Sequence, residues 1–170
     1  MKKKLITFLL SLGLVLSFGL LSNSNNAEAA AYGGKLYTTP KALRGTWYFA
    51  KAGKVGTYDV PAQYQHLYKK IKITAHTITF TKRKRAGLSG RYTFYKCTKK
   101  KMTSAKMDAA EKYATKHKWL YPYNSDKRHF GFTETWLHGN ESSNSGDLTV
   151  SKGHLIFENE YSKDYFVKKR

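Results

Sequence analysis

Between Asp59 and Asp108 the chain has no acidic residue, yet the span holds thirteen cations: Lys69, Lys70, Lys72, Lys82, Arg83, Lys84, Arg85, Arg91, Lys96, Lys99, Lys100, Lys101 and Lys106. Ammonium and guanidinium groups at that density repel one another and weaken a compact state unless a polyanion screens them, so the run favours an anionic partner. The same run also serves as a solvated face, since net charge speaks to association and solubility and not to fold. Tyr92, Phe94 and Tyr95 lie beside Lys82, Arg83, Lys84, Arg85 and Arg91, and barrels that bind single-stranded nucleic acid combine cations along a groove with rings for stacking. From Asp108 onward nine acids face ten bases, so the field of the molecule originates in its middle.

Covalent chemistry has fewer candidates. No Gly-x-Ser-x-Gly elbow is present, and Leu88-Ser89-Gly90 lacks its first half. The histidines, His66, His76, His117, His129, His138 and His154, show no His-x-x-x-His spacing, and Cys97 is the only cysteine, so neither a zinc motif nor an intrachain disulfide is expected. Cys97 in a strand suits inert packing. A glycosidase would need two carboxylates across a sugar bond. Glu134 is the best single candidate, because it shares the parity of Phe130, Phe132 and Trp136 and must be paired or neutral if that face is interior. Glu158 and Glu160 read as surface acids at a hairpin end. No cofactor site is expected.

The address is more legible. Lys2, Lys3 and Lys4 precede an apolar stretch over 5–21, then a polar segment and Ala27-Glu28-Ala29, the layout of a secretory signal cleaved after Ala29 or a residue or two later. A retained anchor is the competing reading, at the lower edge of what spans a bilayer. Cleavage leaves 141 residues, and loss of three lysines and Glu28 takes the net charge from +20 to +18. That length suits one domain. Without disulfides its stability rests on the core, for which 15% aromatic residues is ample material. We divide the chain into a leader at 1–29, a flexible lead-in at 30–40 and one basic, β-rich domain at 41–170.

Period-two alternation identifies the elements that would carry these groups. Strands are expected at 43–49, 70–74, 77–81 and 91–97, with tight turns at Ala75-His76 and at 86–90. Ile71, Ile73, Ile78 and Phe80 then face inward, and Lys70, Lys72, Lys82 and Lys84 lie on or near the exposed face. Asp108 and Glu111 have the spacing of a capping box that opens a helix running to about His117. Trp119, Leu120 and Tyr121 follow as packing residues, and Pro122 stops the helix. Strands resume at 129–137, 148–150 and 155–157 around a Lys152-Gly153 turn, and close at 165–167. The fold expected is mainly β: a small antiparallel barrel or barrel-like sheet of about seven strands with one mid-chain helix.

Leu43-Arg44-Gly45-Thr46-Trp47-Tyr48 resembles the Gly-x-Trp signature on the first strand of lipocalins and related calycin barrels. The resemblance implies a tryptophan plugging one barrel end and a basic residue near the end of the barrel over its ring, a part open to Lys168, Lys169 or Arg170. The helix of that family follows its last strand, whereas here it sits mid-chain. Its Thr-Asp-Tyr-type turn has only Lys163-Asp164-Tyr165 as a counterpart, in a different place. The leader, the stretch 40–48 and the stretch 70–77 are together similar to small secreted proteins of lactic-acid bacteria and their relatives, which implies an address and carries over no functional residue.

These observations lead to a secreted, non-enzymatic domain, held at the cell surface by charge and binding an anionic envelope polymer such as teichoic acid, with extracellular DNA or anionic lipid headgroups as other polyanions. The residues expected to do so are Lys69, Lys70, Lys72, Lys82, Arg83, Lys84, Arg85, Arg91, Lys96, Lys99, Lys100 and Lys101. The alternatives are a lipocalin-like carrier of a small apolar molecule in an interior lined by Trp47, Phe80, Tyr92, Phe132 and Trp136, and an unrecognised enzyme using Glu134 or a histidine.

Overall fold

The computed structural model describes residues 29–53, 62–97, 103–134, 145–159 and 162–168. The predicted leader falls outside them apart from Ala29. The strands are β1 (Gly34–Leu36), β2 (Gly45–Ala52), β3 (Tyr68–Ile73), β4 (Thr77–Lys82), β5 (Gly90–Cys97), β6 (Trp119–Tyr123), β7 (His129–Thr133), β8 (Gly146–Ser151), β9 (His154–Glu158) and β10 (Lys163–Lys168), with a helix α1 (Ser104–Lys116) between β5 and β6. Among the described residues nine strands close a barrel in the order β5-β4-β3-β2-β10-β9-β8-β7-β6, with β6 returning to β5. The barrel form matches the expectation; the strand number is larger.

An odd strand number has a geometric consequence. Direction reverses at each of the eight antiparallel junctions around the wall, so the two end strands point the same way, and β5 and β6 pair in parallel through Thr93 with Trp119 and Phe94 with Leu120. Parallel neighbours cannot be joined by a hairpin and need a long crossover. Helix α1 lies in that crossover, which explains its mid-chain position. It packs on the outside of the seam: buried Ala110 and Ala114 occupy one face at i, i+4, and Ala114 belongs to an outer cluster with Ala29, Tyr95, Trp119 and Tyr121.

Three segments differ from expectation. The lead-in at 30–40 contains β1, which pairs with the end of β5 (Gly34 with Cys97, Leu36 with Tyr95); Tyr32 stacks on Tyr113 at 4.3 Å. The packing residues after the helix form β6 itself, and Pro122 is tolerated there because it lies beyond the two positions at which β6 pairs with β5. The helix starts at Ser104, with Thr103 in extended conformation as its N-cap residue and no side-chain capping bond, so Asp108 and Glu111 lie inside it rather than at its start. Strand β7 ends at Thr133, and residues 135–144 lie outside the described set.

Alternation places Trp47, Ile71, Ile73, Ile78, Phe80, Tyr92, Phe94, Leu120, Phe130, Phe132, Leu148, Leu155, Phe157 and Phe166 in one interior cluster. Phe80, Phe94, Phe130, Phe132, Phe157 and Phe166 are among its largest fully buried side chains, each stabilising the fold by about 1.5–3 kcal/mol. The lower end, where β2 begins, is plugged. A 3-10 turn at Lys41–Leu43 buries Leu43, whose carbonyl accepts a 2.7 Å bond from Trp47 Nε1. The Arg44 guanidinium donates to the Thr39 carbonyl at 2.7 and 3.1 Å, and the Thr39 hydroxyl donates to the Thr74 backbone carbonyl at 2.7 Å.

Candidate anion-binding surface

Strand register turns the cationic run into rows on the outer wall. Thr46, Lys72, Thr79 and Arg91 lie side by side across β2, β3, β4 and β5, and Tyr48, Lys70 and Thr81 form the next row up. With strands about 4.8 Å apart, Lys72 and Arg91 stand about 10 Å from each other. Both are exposed. Apart from Lys70, every other member of these rows carries a hydroxyl, so the wall offers cations and neutral hydrogen-bonding groups with no carboxylate interspersed.

Above the rows, a bulge between Tyr68 and Lys70 makes Lys69 the extra residue of β3. Two consecutive lysines therefore reach the same side, the re-aiming that bulges produce. Lys69, Lys70, Tyr48, Phe49, Thr81 and Arg83 line a groove of about 550 Å³, within the usual range for small-ligand sites. Arg83 is not free to sweep: its guanidinium carbon is 4.2 Å from the centroid of Phe49, and its backbone N–H donates to the Leu67 carbonyl at 2.7 Å. Lys82 Nζ donates to the Arg85 carbonyl at 2.7 Å and Lys84 Nζ to that of Ala62, so both hold the loop as well as charging it.

The expected residues thus separate. Lys69, Lys70 and Arg83 converge on the groove, Lys72 and Arg91 share the row below, and Lys82, Lys84 and Arg85 belong to the adjoining upper-end segment. Lys96 is elsewhere, near the lower end of β5 opposite Lys35 of β1. Lys99, Lys100 and Lys101 lie outside the described residues, as does Trp136. Among the described residues the ion pairs are His66 with Asp164, His129 with Asp147 and Lys163 with Glu158, and none includes a cation of the groove or rows.

Behind the groove is a pair that local sequence did not mark. Asp164 on β10 is fully buried and accepts a 2.5 Å bond from His66 Nδ1. Its Oδ2 has no hydrogen-bond partner among the described residues. Burial raises the carboxyl above its ordinary range, opposed first by His66 and then by the charges of Arg83 and Lys84. His66 has φ +51, a left-handed conformation uncommon for a residue with a side chain. One signal was available: Asp164 shares the parity of Phe166 and so had to point inward. As chemistry, the pair orients an imidazole, but no nucleophilic side chain is hydrogen-bonded to His66 among the described residues.

Trp47, Phe80, Tyr92 and Phe132 do face the interior. They meet other rings: Phe80 lies 4.6 Å from Tyr68, 5.8 Å from Phe132 and 6.2 Å from Tyr92 between centroids. Glu134 follows β7 directly, is half-buried, and its charge reaches Tyr68 and Tyr92, helping burial to raise both phenols. Among the described residues no three metal-ligating side chains cluster, and no helix is long and apolar enough to cross a membrane. No protein-family model, curated protein or solved structure matches this chain.

Proposed function

We propose that the barrel is a secreted, non-enzymatic domain that adheres to anionic envelope polymer of the teichoic-acid type through the outer wall of β3, β4 and β5. The observation that carries the reading is the composition of the two rows: Lys70, Lys72 and Arg91 project among Thr46, Tyr48, Thr79 and Thr81, with no carboxylate between them. A polyanion laid across such a wall releases its condensed counterions, which makes attachment fall steeply with salt. The leader supplies the address, and charge supplies retention.

Washing cells in rising salt tests this. The protein should elute progressively, and a Lys72→Glu, Arg91→Glu double variant should elute at lower salt. Retention indifferent to salt would remove the reading. A carrier role draws less support, because the described interior rings pack against one another, and an enzyme would need a reacting partner for His66.

A further inference from the structure

We infer that the groove lined by Tyr48, Phe49, Lys69, Lys70, Thr81 and Arg83 is the selective subsite of this wall, and that it takes a flexible aliphatic phosphodiester, of the polyol-phosphate class, in preference to nucleic acid. The inference rests on the polyanion-binding reading and adds to it where on the wall selectivity resides and for what chemistry.

Two lysines and one arginine border a concavity with the Thr81 hydroxyl. A phosphodiester presents one negative charge and two acceptor oxygens, which a guanidinium meets with paired N–H groups and ammonium groups meet as point charges. Arg83 is held over the Phe49 ring at 4.2 Å, so little side-chain freedom remains to be lost when it binds.

Discrimination against nucleic acid follows from where the rings are. Single-strand binders stack bases on open aromatic faces. Here Arg83 covers Phe49, whose ring also meets His66 at 6.4 Å and the edge of Phe166 at 5.8 Å. The rings that the sequence sets beside the cations are also occupied: Phe94 is fully buried, Tyr92 lies in the core under Lys118, and Tyr95 packs on Trp119 at 4.3 Å. Tyr48, half-buried in the groove wall, is the one further ring beside the cations, and a single ring offers no run of faces for successive bases, an arrangement that suits a backbone of phosphates and small polyols.

The test is calorimetric titration of the full mature chain with a synthetic glycerol-phosphate oligomer and with an oligothymidylate of equal phosphate number. Three variants are compared: Lys70→Gln with Arg83→Gln in the groove, Arg83→Lys alone, and Lys72→Gln with Arg91→Gln in the row below, each first shown to keep the wild-type melting temperature within a few degrees. We expect tighter binding of the glycerol-phosphate oligomer by wild type, a loss of about ten-fold or more in the groove pair, as befits charge-assisted bonds, and loss of the preference in Arg83→Lys. The row pair should weaken both ligands alike and keep the preference. Equal binding of the two oligomers by wild type, or equal losses from groove and row pairs, would overturn the subsite while leaving the adhesive wall standing. Failure of wild type to bind either oligomer at low salt would remove the wall reading and the subsite together.

Discussion

Lys168 Nζ stands 4.5 Å from the centroid of Trp47, which its own backbone opposes across the β10–β2 ladder. Gly45 makes this possible: its φ is +137, and a Cβ there would come within 2.8 Å of Lys168 Cε. Of the three terminal cations open to this part, Lys168 is the one that the described residues include, since Lys169 and Arg170 lie outside them. Replacing Lys168 with Met keeps the apolar stem and removes the charge, and should cost about 0.5–1 kcal/mol in urea unfolding. Gly45→Ala should cost more, since it both strains the backbone and displaces Lys168. Intrinsic fluorescence of a variant in which Trp119 and Trp136 are replaced by Phe, leaving Trp47 as the emitter, reports both changes.

The β8–β9 hairpin turns through Lys152 and Gly153, with φ +47 and +77. Positive φ at both central residues defines the turn whose twist suits a two-residue hairpin, and asparagine adopts it more readily than lysine. Lys152→Asn should therefore raise the melting temperature by about 1–2 °C, corresponding to roughly 0.5 kcal/mol. Gly153→Ala should lower it, although nothing lies within 4 Å of the added methyl, because the cost is in the backbone alone.

Asp164 gives a pH dependence with a definite sign. Its carboxyl is raised by burial, so through the window between its ordinary and raised values the folded state binds more protons than the unfolded state. Stability contributed by this group is then complete below the ordinary carboxylate range and is lost as pH rises through the raised value. Asp164→Asn cannot titrate. The melting temperature of wild type minus that of the variant should fall as pH rises across that window; a constant difference would show that the carboxyl is not raised.

Tyr123 titrates on the alkaline side. Burial first, then the charge of Asp147 and a 3.5 Å contact to it, push its phenol up to about 12. Because the raised group is neutral in the folded state at pH values where it ionises in the unfolded state, its contribution to stability is lost as pH rises from about 10 to about 12. Phenolate absorbance of Asp147→Asn should show one tyrosine ionising at lower pH than in wild type.

Strands β3, β4, β5, β8 and β9 were legible because side-chain alternation is a local property: Ile71 and Ile73, or Ile78 and Phe80, declare a face without reference to the rest of the chain. The cationic run was legible for the same reason, whereas Glu134, given the parity of Phe130 and Phe132 from the sequence, lies past the end of β7 and is half-buried. Strands β1 and β6 were not, since the three residues of one become strand only by pairing with β5, and the proline-containing segment of the other only by pairing with β5 on one side and β7 on the other. The helix start was misplaced because Asp108 and Glu111 fit a capping pattern that the backbone, already helical from Ser104, did not need.

By itself, then, the sequence determined the charge, the apolar alternation and the supply of rings, all of which are read residue by residue. Tertiary structure decided which of those charges meet. Lys69 reaches the groove through a bulge, Arg83 settles on Phe49 thirty-odd positions away, and His66 finds Asp164 from the far end of the chain. The first two follow from the register of β2, β3 and β4, and the third from the pairing of β10 with β2, and pairing between strands distant in the chain is something no window of neighbouring residues contains.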